Sequence, residues 1–263
     1  MKGTAIRKPA VAGAFYPADP GELHTMISTY LKEAKQTGGV PKAVIAPHAG
    51  YIYSGPIAAS VYARIAPARG QIARVVLLGP SHRIPFKGLA VSSMDAFATP
   101  FGEVPIDKQA VESISELPQV QVLDQAHALE HSLEVQIPFL QEVLGEFALV
   151  PIAVGDASPE EVAEVLERLW GGPETLIVIS SDLSHYHDYK TASEMDNMAS
   201  KAIEELAPEK LEYEQACGRG PISGLLVAAK KHNLAAHTVD LRNSGDTTGP
   251  RDQVVGYGGY VFE

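Results

Sequence analysis

Residues 75–82 read VVLLGPSH, an unbroken apolar run that stops at Gly-Pro and delivers a histidine, His82. A strand buried on both faces reads as such a run, without polar alternation, because helices cover both sides of a parallel sheet. The pattern recurs twice: residues 44–48 read VIAPH and deliver His48, and residues 176–185 read LIVISSDLSH and deliver Asp182 and His185. Loops that follow the strands of an open α/β sheet share one edge, and ligands bind outside that carboxyl edge. Histidines far apart in sequence are therefore expected to meet in space.

Outward from these strands, the chain alternates strand and helix. Asp19-Pro20-Gly21-Glu22 caps a first helix, whose core face is Leu23, Met26, Ile27, Tyr30, Leu31 and Ala34 and which Gly38-Gly39 ends. Helices are expected near 56–65, 107–116, 130–144, 159–170, 190–206 and 221–231. Further strands are expected near 89–92, 147–154, 235–241 and 254–262. No repeat, low-complexity tract or linker divides the chain, so residues 1–263 are expected to form one α/β domain. Its sheet should be mostly parallel and flanked by helices on both faces.

Composition narrows the function. With 45% hydrophobic and 20% charged residues, the chain is that of an ordinary globular protein. A fold of this length hides roughly 70–75% of the surface of its unfolded chain. A formal net charge of −11 with no basic stripe opposes binding to nucleic-acid phosphates or an anionic membrane. No apolar run reaches the roughly 18 residues of a membrane span. The N-terminus lacks the apolar core of a signal peptide, and a cytoplasmic location is expected. The single cysteine, Cys217, excludes an internal disulfide and a CxxC zinc site, and reads as a small, buried or half-buried apolar residue. Phosphate-binding loops, the GxSxG elbow and HExxH are all absent.

Clustered imidazoles suit a metal ion, proton transfer, or both. A second group lies in AHALEHSLEVQIPFL (126–140), where His127 and His131 stand four apart, at the spacing of one helical face. Glu130 and His131 are read as groups that orient a ligating imidazole or touch substrate. After the penultimate strand, NSGD (243–246) is rich in turn formers, and Asp246 would supply a carboxylate ligand beside His48 and His82; an Asx-type turn is the alternative.

The motifs AVAGAFYP (10–17), PHAGYIYSG (47–55), GPSH (79–82), EHSLEVQIPFL (130–140), SSDLSH (180–185), NSGD (243–246) and GYGGYVF (256–262) together resemble the Memo family. Its bacterial and archaeal members are called AmmeMemoRadiSam system protein B. The resemblance spans almost the whole chain and implies a fold similar to class III extradiol ring-cleaving dioxygenases. It implies His48 and His82 as metal ligands, His185 as acid/base with Asp182 orienting it, and Tyr51 and Tyr53 lining the pocket. The metal implied is divalent, Fe(II) first, with copper or zinc as alternatives. The ring-cleaving relatives hold iron with two histidines and one carboxylate.

Animal members look to carry a cysteine where this chain reads NSGD. Asp246 as a restored carboxylate and a two-histidine site completed by water or His185 both stay open. The implied partners are a small, aromatic substrate, radical-SAM and AMMECR-type proteins, and further copies of the chain. A peptide-binding scaffold with a relict pocket and a metal-assisted hydrolase are the alternative functions.

Overall fold

A computed structural model describes residues 4–35 and 38–263. The strands are β1 (Ile6–Arg7), β2 (Ala43–Ala46), β3 (Arg74–Pro80), β4 (Leu89–Val91), β5 (Ala96–Thr99), β6 (Gly102–Pro105), β7 (Val120–Val122), β8 (Ala148–Val154), β9 (Thr175–Ser180), β10 (His185–His187), β11 (Ala236–Asn243) and β12 (Val254–Phe262). The helices are α1 (Pro20–Glu33), α2 (Tyr51–Tyr62), α3 (Lys108–Ile114), α4 (Gln125–Ala128), α5 (Ile137–Leu144), α6 (Pro159–Leu169), α7 (Tyr189–Glu204) and α8 (Arg219–Lys231).

The main sheet runs β10-β12-β2-β9-β3-β8-β4-β7, with β11 also paired to β12. Its centre, β2-β9-β3-β8, is parallel, and these strands are the apolar runs of the sequence. Antiparallel pairs flank the centre: β12 joins β2 on one side and β4 joins β8 on the other. Strands β1, β5 and β6 form a separate small sheet.

Side chains alternate along a strand, so β12 meets a different helix on each side. Tyr260 reaches Ser200 of α7 with a 2.6 Å hydroxyl contact. Gly259, of opposite parity, lies against Ile57 and Val61 of α2. Helix α8 packs on β3 and β9, and on α6, whereas α2 packs on β2, α1 and α5. One apolar core joins both layers.

Local chemistry explains where elements start. Asp19 caps α1 by accepting from the amides of Gly21 and Glu22, and Pro20 sits at the first turn as expected. That helix ends at Glu33, before the glycines. Helix α2 starts at Tyr51, five residues earlier than its proline implies, and carries Pro56 inside it; the Ile52 carbonyl that loses a helical donor there accepts from Thr248 Oγ1 at 3.3 Å.

The largest departure is at 129–136. The helix expected from about 130 to 144 begins only at Ile137: a separate short helix, α4, ends at Ala128, and a 3-10 turn (Glu134–Gln136) precedes α5. Glu130 breaks it by turning its carboxylate onto the amides of His131 and Ser132, each 2.9 Å away. A local side-chain acceptor competes there with the helix ladder.

Candidate metal centre

The segment 130–136 lies across the carboxyl ends of β2, β9 and β3 and ties them together. Ser132 Oγ donates to Pro80 O of β3 at 2.9 Å, and Ser180 Oγ at the end of β9 donates to Ser132 O at 2.6 Å. Gln136 Nε2 donates to Pro47 O (2.9 Å), just past β2, and to Ser180 Oγ (2.7 Å). Gly79 permits this close approach, since a Cβ there would stand 2.8 Å from Ser132 Oγ. Underneath, the buried Glu134 carboxylate pairs with Arg7 and accepts from Tyr16 Oη (2.6 Å) and the amides of Ala10 and Val11.

This strap brings His131 to His48 and His82. Ligand atoms of the three imidazoles lie within 4.8 Å of one another, and this is the group among the described residues that could hold a metal ion. Ring centroids are 5.2 Å apart for His48–His82, 5.4 Å for His48–His131 and 4.7 Å for His82–His131.

The hydrogen-bond network assigns the ring protons. Ser180 Oγ gives its proton to Ser132 O, so it accepts from His48 Nδ1 at 2.9 Å and leaves Nε2 the unprotonated nitrogen of His48. His82 Nδ1 donates to Glu130 Oε1 at 2.9 Å, which likewise frees Nε2. His131 Nδ1 is buried without a hydrogen-bond partner, and Glu130 Oε1 is 3.4 Å away. Lone pairs held ready by carboxylate or hydroxyl partners, and one orphaned ring nitrogen, are what a divalent ion requires.

Burial favours the neutral form of His48 and His131. It pushes His48 well below the ordinary histidine value, with the other imidazoles adding to the effect, and pushes His131 down to about 4. Burial would raise Glu130, but hydrogen bonds and charge from His82, with the Ser132 and His82 amides, outweigh it and bring the carboxyl down to about 2.

His185 stands close enough to His48 and His82 to share their electrostatic field. Its Nδ1 donates to Leu183 O at 2.8 Å, leaving Nε2 as an acceptor. Asp182 does not orient it; its carboxylate accepts from the His48 amide at 2.7 Å and fixes the 47–49 turn. Burial raises the Asp182 carboxyl to about 7.

Three other readings change. Tyr51 is a core residue whose hydroxyl donates to Val135 O at 2.7 Å, leaving Tyr53 as the partly exposed one of the pair. Asp246 is not among the grouped ligands. Its carboxylate accepts from Tyr189 Oη (2.7 Å) and the Asn243 amide (3.1 Å), in the Asx-type turn that was the alternative. His127 is separate from His131: Nε2 donates to Ala90 O at 3.0 Å and the ring packs edge-on to Phe97.

Cys217 is half-buried, and its Sγ lies 3.3 Å from His48 Nε2. No local signal marks it, since the contact arises from docking the start of α8 against the end of β9: the Gly218 amide donates to Ser181 Oγ at 2.9 Å. Burial, followed by the Asp182 charge, pushes the thiol up to about 12. A cleft of about 550 Å³ opens here, lined by His82, Phe86, Asp156, Tyr213, Cys217 and Arg219 among others.

Fold and site together define an α/β protein with a three-imidazole metal-site candidate at the carboxyl edge of its parallel strands. The chain belongs to the family described as Memo-like protein, whose sequence pattern matches residues 7–261. A MEMO1 family protein of Aquifex aeolicus is 41% identical over 98% of this chain and 99% of its own length. Another, from Archaeoglobus fulgidus, is 36% identical over 98% and 99%. Among solved structures, an uncharacterized protein, JW3007, from Escherichia coli K12 shares the fold. It has a TM-score of 0.55 at 12% identity, covering 83% of this chain and 98% of that one. No described helix is long and apolar enough to cross a membrane.

Proposed function

We propose that the chain is a metal-dependent, redox-active enzyme acting on a small phenolic substrate, with a divalent ion held by His48, His82 and His131. The supporting observation is the mutual approach of three imidazoles whose other ring nitrogens are occupied at His48 and His82. The ion, Fe(II) in this reading, would supply Lewis acidity and electron transfer when bound.

The protein's own part is positional. Ser180 and Glu130 hold two ligands in one tautomer, and Asp182 fixes the turn that presents His48. His185, with Nε2 unprotonated and Nδ1 anchored on Leu183 O, accepts the proton of a substrate hydroxyl. Its lowered basicity, due chiefly to burial, keeps it in the accepting form near neutral pH.

The donor set favours one second reading. Three imidazoles without a carboxylate match the set that holds zinc with an open position for water, so metal-activated hydrolysis competes with oxidation. Anaerobic Fe(II) titration of wild type and the His48→Ala/His82→Ala double variant tests the site. Stoichiometric binding lost in the variant is expected, and no binding by wild type rejects both readings in favour of a scaffold. Oxygen uptake with a phenol panel, against ester hydrolysis with zinc, separates the two chemistries.

A further inference from the structure

Strand β10 carries an irregularity that metal binding does not need. His185 pairs with Val255 and His187 with the adjacent Val254, so Tyr186 is the extra residue of a β-bulge. Its φ is +62°, in the left-handed region that a bulky side chain rarely adopts. Packing does not compensate, because Tyr186 is 72% exposed. Bulges beside active sites serve to re-aim a side chain, and uncompensated backbone strain concentrates where function requires it.

The ring so aimed stands beside the proposed proton acceptor. Tyr186 and His185 ring centroids are 5.8 Å apart, at 67°. Below it, the Tyr257 phenol is buried and held protonated by that burial, with smaller contributions from Asp182, Tyr53 and Tyr186. These three tyrosines therefore gather near the strand ends that carry Asp182 and His48. Tyr53, on the first turn of α2, is partly exposed. The Phe15 ring lies 4.9 Å from that of His131. Of these aromatic rings, Tyr186 is the most exposed.

We propose that Tyr186 is the substrate-recognising residue of this site: the bulge at β10 holds its ring as a lip beside His185, where it stacks on an aromatic substrate and sets the substrate hydroxyl toward His185 Nε2. The assignment rests on the phenolic reading above and adds to it the residue that selects a flat ring over an aliphatic alcohol.

The test is anaerobic absorbance titration of the Fe(II)-loaded protein with 4-nitrocatechol, comparing wild type, Tyr186→Phe and Tyr186→Gly. Tyr186→Phe keeps the ring and is expected to bind as wild type. Tyr186→Gly is expected to weaken binding by about threefold to tenfold, the worth of one aromatic pair. Its Fe(II) affinity should be unchanged and its melting temperature equal or higher, since glycine adopts the left-handed backbone freely. Equal 4-nitrocatechol affinity in wild type and Tyr186→Gly overturns the lip and leaves the phenolic reading standing. Failure of iron-loaded wild type to bind the catechol overturns both.

Discussion

Sγ of Cys217 and Nε2 of His48 stand 3.3 Å apart, so the thiol faces the lone pair that a metal ion would use. In the metal-free protein the thiol is protonated, because burial and Asp182 lift it from 9.0 to about 12. That shift lowers the reactive thiolate population about a thousandfold. Alkylation by iodoacetamide at pH 8, followed by intact mass, is expected to be at least a hundredfold slower in the native than in the urea-unfolded chain. Comparable rates would show an activated thiol instead.

Glu130 serves His82 and the strap at once, accepting from His82 Nδ1 and from three backbone amides. Glu130→Gln is expected to fold and to bind Fe(II) or Zn(II) about 10–100-fold more weakly, the usual loss when a carboxylate behind a ligating imidazole is removed. The carboxyl also has a pH signature. Its value falls from 4.5 to about 2 on folding, so its stabilisation is complete above pH 4.5 and is lost as pH drops toward 2. Urea midpoints for wild type should fall over that window more steeply than for Glu130→Gln; parallel curves would contradict the assignment.

Asp196 works in the opposite sense. Buried under Gly256, where no Cβ fits, it accepts from the Ser184 amide at 3.0 Å, and burial raises its carboxyl from 3.8 to about 6. The native state therefore holds the proton more tightly than the unfolded chain. This contribution is present below pH 3.8 and is lost as pH rises through 6. Asp196→Asn keeps an acceptor and should stabilise the protein at pH 8 by roughly 1–3 kcal/mol. Chemical denaturation at pH 8 and pH 4 checks this; a gain of the same size at both values would refute the linkage.

Much of the fold was legible because the central strands are buried on both faces. VIA, VVLL and LIVI cannot be mistaken for amphipathic segments, and the histidines behind them announced the functional edge. His131 as a grouped ligand was not legible, because its placement depends on Glu130 ending a helix and on Ser132 and Gln136 finding strand-end partners. Cys217 was invisible for a similar reason, since docking of α8 is a long-range event. Asp246 looked like a ligand because turn chemistry and metal chemistry use the same carboxylate, and only the Tyr189 and Asn243 contacts separate the two.

Arg7 is the cation beneath the strap. Its guanidinium pairs with the Glu134 carboxylate and donates to Glu130 O (2.7 Å) and His127 O (3.1 Å). Arg7→Met leaves a buried carboxylate without its counter-charge, at a cost of about 3–5 kcal/mol. A fall in urea midpoint of that size is expected, together with weaker metal binding. A variant as stable as wild type would show that the Tyr16 hydroxyl and the two amides suffice for Glu134.

Since residues 130–136 bridge three strands at once, the candidate ligand cage is an accomplishment of the folded chain and of no fragment of it. Neither the first half, with His48 and His82, nor any later piece carries a complete cage. An ion that binds only the finished state reports completed folding, and returns its binding energy as resistance to unfolding of the entire molecule. Occupancy would then act as a quality mark, distinguishing chains that have seated residues 130–136 on the strand ends from those that have not.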